Sequence, residues 1–274
     1  MIAGRRNGTG VAAGTRPSTP SLRAERLTVG YDGRPVLQEI TLEMDKGQSL
    51  ALVGMNGSGK STLLKTIVGL LPRLGGRLEV LGARPGGAPG RVAYLSQSHS
   101  TAFVLPLRAV DVVRMGRFAA RGLLGSMSEE DDDRVFTAMQ RMGIGDLANA
   151  PLRSLSGGQQ QRVYLAQVFA HDADLLVLDE PAASLDAAGK EIYDRAVTAE
   201  LARGAAVVVA THDIREAAQC DLAMLLAHRV VALGPARDVI TPDTLLETFG
   251  IILVSQGQAG GLAVVECEHG HDCD

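Results

Sequence analysis

Apolar positions along the chain switch between a period of two and a period of 3.6. From Leu22, "LRAERLTVGYDGRPVLQEITLEMDKGQSLALVG" reads as several short strands. Alternating segments such as Arg26–Val29 and Ile40–Met44 are parted by turn signals at Asp32-Gly33 and Lys46-Gly47. Ser49–Val53 is a nearly continuous apolar run, the pattern of a strand covered on both faces. The "STLLKTIVGLL" that follows places Leu63, Leu64, Ile67, Leu70 and Leu71 at helical spacing. Leu78–Leu81 and Val92–Ser96 read as a second antiparallel stretch around the loop "GARPGGAPG". Ala109 to about Leu152 reads as mainly helical. Within it, "SMSEEDDDRVFTAMQRMG" predicts a capped helix whose acidic first turn suits the positive end of the dipole. Leu175–Leu178 and Ala205–Ala210 are two more runs of buried-strand length. Thr241-Pro242 predicts a helix start, with an N-cap and then proline at the first helical position. After Ile252 the pattern weakens, and "QGQAGG" reads as a linker.

Strands alternating with helices over 274 residues predict one α/β domain with short tails. The expected boundaries are a leader without order at 1–21, the domain at 22–252 and a tail at 253–274. Aromatics are only 3% of the chain and Trp is absent, so the core must be aliphatic. A net charge of −4 gives no sign of a nucleic-acid partner, since phosphate backbones favour strongly basic faces. Three cysteines are too few for a disulfide framework, and their odd count fits a reducing compartment. No stretch reaches the roughly 18 apolar residues that read as a membrane span. Met1 to Pro20 carries Arg5, Arg6 and Arg16 but lacks the apolar segment of a secretory signal. The expectation is a cytoplasmic protein.

Three motifs carry chemistry. "GMNGSGKST" fits the phosphate-loop pattern G-x-x-x-x-G-K-S/T, and it stands between a strand-like run and a helix. Gly54, Met55, Asn56, Gly57, Ser58, Gly59, Lys60, Ser61 and Thr62 are therefore expected to bind nucleotide. Glycines let the backbone approach phosphate oxygens, and the helix that follows adds its positive end. Lys60 can reach the β- and γ-phosphates, and the Ser61 hydroxyl can bind Mg2+. "LLVLDEP" is an apolar strand ending in two carboxylates: Asp179 suits a metal, and Glu180 can polarise an attacking water. "LSGGQQQR" opens a second helix whose start, at Ser156, Gly157, Gly158 and Gln159, is free to meet an anion. One nucleotide site does not need two such helix starts.

With that third motif the sequence resembles the ATP-binding subunits of ABC transporters, whose signature is LSGGQ. The resemblance runs from about Leu22 to Gly250. It implies a P-loop NTPase (RecA-like) core, an antiparallel β subdomain and an inserted α-helical subdomain at about 99–157 that carries the signature. It implies ATP and Mg2+ as ligands, with Ser61, Gln97 and Asp179 on the metal. Glu180, His212, Gln97 and Lys60 would be catalytic: Gln97 touching Mg2+ and the attacking water, His212 contacting the γ-phosphate. Tyr31 would stack on adenine, and the "AASLD" loop ending at Asp186 would cross to a partner subunit. It further implies a head-to-tail homodimer, in which Ser156 and Gly158 of one chain close over the γ-phosphate held by the other. Separate permease subunits in the membrane and a substrate-binding protein would complete the system, with this chain on the inner face of the membrane.

Two stretches, "VLPLRAVDVVRMGRFAARG" and "DLAMLLAHRVVALGPARDVITPDTLLETFG", resemble the branch that carries zinc, manganese or iron. Iron-siderophore and cobalamin importers are close in sequence, and an exporter ATPase would share every catalytic motif. A DNA-repair or translation ATPase is a further alternative, opposed by the absence of long heptads and of a second such domain. The tail "CEHGHDC" sets Cys267, His269, His271 and Cys273 within reach of one zinc ion, although closed zinc sites normally use ligands spaced along a folded ribbon.

Overall fold

The computed structural model describes residues 19–97, 106–121, 126–256 and 261–266. β1 (Leu22–Tyr31) and β2 (Arg34–Met44) form a hairpin about Asp32-Gly33, and β3 (Ser49–Gly54) leads into α1 (Lys60–Ile67). β4 (Gly75–Val80) pairs antiparallel with β1, giving a sheet in the order β2-β1-β4. This sheet begins at Leu22, as expected, and just before it the buried Ser21 donates its N–H to the Met44 carbonyl. α1 stops sooner than its apolar pattern predicts. Gly69, at φ +82°, turns the chain out of the helix, and Leu70 stands in solvent.

β5 (Val92–Leu95) does not extend the antiparallel sheet as expected. It pairs parallel with β6 (Leu175–Asp179). Between them lie α2 (Ala109–Arg121), α3 (Glu129–Arg141) and α4 (Gly157–Ala170). The predicted capped helix is α3, in which Ser128 and Asp131 cap each other reciprocally. Arg117 on α2 is buried against Asp131 at 2.9 Å and donates to the carbonyls of Ala170 and His171 at the end of α4. One guanidinium thus ties three helices together with its charge paired, as a buried cation requires.

α5 (Ala187–Ala202), β7 (Ala206–Thr211), α6 (Ile214–Ala218), β8 (Leu222–Leu226), β9 (Val230–Pro235), α7 (Ala236–Val239) and α8 (Pro242–Phe249) complete the core. The main sheet runs β5-β6-β7-β3-β8-β9, parallel except for β9. Its central strands are covered on both faces, and alternate residues feed two cores. Leu50, Leu52, Leu175 and Val177 join α1 and the antiparallel sheet. Ala51, Val53, Leu176 and Leu178 join the helices α2 to α5. The near-continuous apolar runs in the sequence are the consequence. The predicted start of α8 is present, with Thr241 as N-cap and Pro242 in the first turn.

Past the expected boundary at residue 252 the chain is not a plain linker and tail. β10 (Ile251–Gln256) and β11 (Gly261–Glu266) pair as an antiparallel hairpin across it. Both segments are rich in Ile, Val and Leu, as strands are. The tail cluster Cys267, His269, His271 and Cys273, and most of the 1–21 leader, lie outside the described residues.

Candidate functional site

The carboxyl ends of parallel strands share one edge of a sheet, and that edge is where open α/β folds place ligands. β3 delivers Gly54 there, β6 delivers Asp179 and Glu180, β7 delivers His212, and Gln97 follows β5 by two residues. Adjacent strands lie about 5 Å apart. Residues 54, 97, 179 and 212, scattered along the sequence, are therefore neighbours by topology.

The loop from Gly54 to Gly59 needs its glycines for two different reasons. A Cβ on Gly54 would lie 2.2 Å from the Leu226 carbonyl oxygen on β8. Gly59 sits at φ +107°, where side chains are strained, and serves as the N-cap of α1 without any side-chain cap. The amides of that helix start are thus left for a ligand. Lys60 folds back into the loop and is almost wholly buried. Its ammonium donates to the carbonyls of Gly54 at 2.6 Å and Met55 at 3.1 Å. Burial pulls Lys60 below the ordinary lysine range, with Glu180 and Asp179 opposing.

Asp179 is buried, and burial pushes its carboxyl above the ordinary range, while a Ser61 hydroxyl bond pulls it back. Its Oδ1 has no hydrogen-bond partner. A buried cation held in place only by carbonyls, and a buried carboxylate oxygen without a donor, are both costly alone. A phosphate beside Lys60 and a hydrated cation beside Asp179 would relieve both, and that donor set, a carboxylate and a hydroxyl, suits a hard oxygen-seeking metal.

Glu180 follows in a left-handed backbone conformation at φ +50°. Its N–H donates to the Ala210 carbonyl at 2.9 Å, and its carboxylate lies 4.0 Å from Nδ1 of the exposed His212. Tyr31, at the end of β1, leaves much of its ring in solvent and accepts a long 3.4 Å bond from the Thr62 hydroxyl. Gln97 is exposed at the same sheet edge.

The signature residues form a second group. Ser156 caps α4, accepting from the Gln159 N–H at 3.3 Å, while its own N–H donates to the Gln159 side chain at 2.9 Å. Gly158 lies close to the Ser184 carbonyl, and nothing crowds Gly157. Asp186 is the N-cap of α5, bonded to the Gly189 N–H at 2.8 Å and to Arg162 at 3.0 Å. The Gly189 bond, helped by Arg162, holds its carboxyl below the ordinary range. The polar partners of the Ser156 group lie in α4 and the 181–189 segment, whereas those of Lys60 lie in its own loop. In the sequence Gln161 and Arg162 carry no signal beyond helix. Both reach from α4 into the segment after Glu180.

The ABC transporter family profile matches residues 37–183, more than half of the chain. The chain belongs to the ABC transporter family. Manganese transport system ATP-binding protein MntB of Bacillus subtilis is 38% identical over 231 residues, covering 82% of this chain and 91% of that one. Zinc transport system ATP-binding protein TroB of Treponema pallidum is 34% identical, covering 84% and 87%. Hemin import ATP-binding protein HmuV of Streptomyces coelicolor is 40% identical over 249 residues, covering 87% of each. Among solved structures, an ATP-binding subunit of an ABC transporter matches with a TM-score of 0.71 at 26% identity, covering 85% of this chain and 94% of that one. This ABC protein is an ATP-binding, ATP-hydrolysing subunit of a transport system, built on the P-loop NTPase fold. Among its described residues no helix is long and apolar enough to cross a membrane.

Proposed function

We propose that the chain binds ATP with Mg2+ at the β3–α1 loop and couples hydrolysis to the import of a divalent metal ion, zinc, manganese or iron. The observation that carries the site reading is a pair of buried charges: Lys60, whose ammonium is bonded only to two backbone carbonyls, and Asp179, whose Oδ1 is buried without a donor. Residues 54 to 62 wrap the phosphates through backbone amides, and Lys60 neutralises the β- and γ-oxygens. The exposed ring of Tyr31 stacks on adenine. Ser61, Gln97 and Asp179 would hold Mg2+, which would offset charge on the phosphate oxygens. Glu180 accepts a proton from the water that attacks the γ-phosphorus. The bond from that phosphorus to the bridging oxygen breaks, and ADP leaves. His212, on the neighbouring strand, contacts the γ-phosphate.

Two chains pair head to tail, so that Ser156, Gly157, Gly158 and Gln159 of one close on the nucleotide of the other, with Asp186 in the loop that crosses between them. The pair docks on integral permease subunits at the inner face of the membrane and receives cargo from a substrate-binding protein. The ATP-binding domain spans 22–252, with residues 253–274 as an appendage. Relatives named for manganese and zinc transport support the cargo class. The hemin-import relative favours a second reading, a metal chelate in place of the bare ion. Uptake of radiolabelled manganese, zinc or hemin into vesicles holding the chain with its permease would separate the two.

The reaction assignment is tested by Glu180→Gln. The variant is expected to bind ATP with unchanged affinity and to hydrolyse it at least ~100-fold more slowly, the range for loss of a general base. It should also accumulate as an ATP-bound dimer on gel filtration. Wild-type turnover by this variant would remove Glu180 from the role.

A further inference from the structure

We propose that Gln161 is a positioning residue for hydrolysis: from the signature helix it holds the backbone of Glu180 in its working conformation through the Pro181 carbonyl. This rests on the reading of Glu180 as the base. Three consecutive glutamines open α4, and their side chains do three different things. Gln159 closes the capping box on Ser156. Gln160 reaches back to the Leu155 carbonyl at 3.0 Å. Gln161 alone reaches a distant segment of the chain: its amide donates to the Pro181 carbonyl at 2.8 Å.

The residue next to that carbonyl explains why the contact matters. Glu180 is held at φ +50°, a region that residues other than glycine seldom occupy. The proline after it favours an extended predecessor, so neither its own preference nor its neighbour's keeps Glu180 there. Such a conformation persists only where its surroundings over-determine it. On the amino side the Glu180 N–H is fixed to the Ala210 carbonyl of β7. On the carboxyl side Pro181 has no N–H to give, and its carbonyl is fixed by Gln161. The segment that aims the Glu180 carboxylate is therefore clamped at both ends, once by the sheet and once by α4, while the Ala183 N–H closes a turn onto the Glu180 carbonyl at 3.3 Å. The second clamp lies on the first turns of the helix whose start carries the signature.

The test uses two substitutions in the full chain. Gln161→Glu keeps the shape of the side chain but, ionised, has no proton to donate. Gln161→Lys changes the shape but keeps a donor of sufficient reach. If the donor matters, Gln161→Glu lowers kcat about three- to tenfold, the worth of one neutral hydrogen bond, with KM and nucleotide affinity unchanged. Gln161→Lys then recovers most of the rate. In a Glu180→Gln background Gln161→Glu should cost nothing further, because the group it positions is gone. A wild-type kcat for Gln161→Glu overturns the proposal. So does an equal loss in both variants, or a loss of ATP affinity matching the loss of rate. Thermal melting, expected to move little, separates a poorly folded variant from a misaimed base. Gln161→Met, with neither charge nor donor, should then repeat the kinetic loss. Wild-type turnover by Glu180→Gln alone would instead sink the underlying assignment of the base.

Discussion

The helices α1 and α4 both begin at a glycine-rich turn, yet they begin in opposite ways. At α1 the N-cap is Gly59, no side chain caps the first turn, and Lys60 folds over the loop. At α4 Ser156 and Gln159 close a reciprocal capping box. Each helix start has four amides without intrahelical partners. α1 leaves its own open, consistent with a site that completes itself only around a phosphate. α4 satisfies one of its amides, and the amide of Ser156, within the chain, and leaves Gly157 and Gly158 accessible. Under the head-to-tail arrangement proposed above, the ligand of α4 would come from another molecule, and the helix start must be stable while that molecule is absent. The capping box supplies that stability, about 1 kcal/mol for such a cap.

The largest expected effects break this comparison at its charged end. Lys60→Ala should weaken ATP binding by one to two orders of magnitude, since charge-assisted bonds to phosphate are worth about 1.5–3 kcal/mol each. Ser156→Arg should leave ATP binding in its own chain intact and abolish hydrolysis in the homodimer. Mixing the two inactive variants is expected to restore part of the activity. One composite site of the mixed dimer then pairs an intact Lys60 with an intact Ser156, and the other carries both lesions. ATPase assay of mixed and separate preparations decides it. If mixed dimers form and bind ATP, yet Ser156→Arg damages only the loop of its own chain, the head-to-tail arrangement is wrong.

A smaller effect sharpens the comparison. Ser156→Ala removes the cap and should cost about 1 kcal/mol of stability in the isolated chain, read from denaturant midpoints. α1 has no counterpart to this experiment, because its cap is a glycine backbone. Tyr31→Ala, at the edge of the α1 site, should weaken ATP but not inorganic triphosphate, by about 1 kcal/mol from lost stacking. Equal binding of the two ligands by the wild type would contradict the stacking role.

The contrast between the two helix starts was only half visible in the sequence. The loop at 54–62 declares itself because its chemistry is local: glycines, lysine and hydroxyls stand in one segment between a buried strand and a helix. Ser49–Val53 and Leu175–Leu178 were equally plain, since strands covered on both faces carry no polar alternation. The sequence pattern of Val92–Ser96 does not tell which sheet it joins, and the strand there pairs with β6. Four or five residues of strand pattern look the same whether the partner is β4 or β6, and pairing partners are set by tertiary packing. The pairing of Ile251–Gln256 with Gly261–Glu266 is not legible in the sequence, because a glycine-rich stretch reads as a turn and as a linker equally well. Gln161 was invisible as anything but a helix residue, because the carbonyl it serves lies 20 positions away.

The smallest expected effect in the fold is Gly157→Ala. In the chain by itself an added Cβ there meets no atom within 4 Å. Gly157 is also the first residue of α4, with φ outside the left-handed range, so alanine brings no backbone strain. Folding stability should therefore change by no more than about 0.5 kcal/mol, as for a surface substitution away from any special contact. Gly158 differs, since its Cβ would already press to 3.1 Å on the Ser184 carbonyl. Space that is empty in one chain can still be filled by a second. If the partner's nucleotide rests on this turn, the methyl group stands between the Gly157 amide and a phosphate oxygen, and turnover falls while melting does not. The pair of measurements is unequivocal in both directions. Unchanged kcat with unchanged stability would mean that nothing approaches α4 at Gly157, and the signature would have to act through Ser156, Gly158 and Gln159.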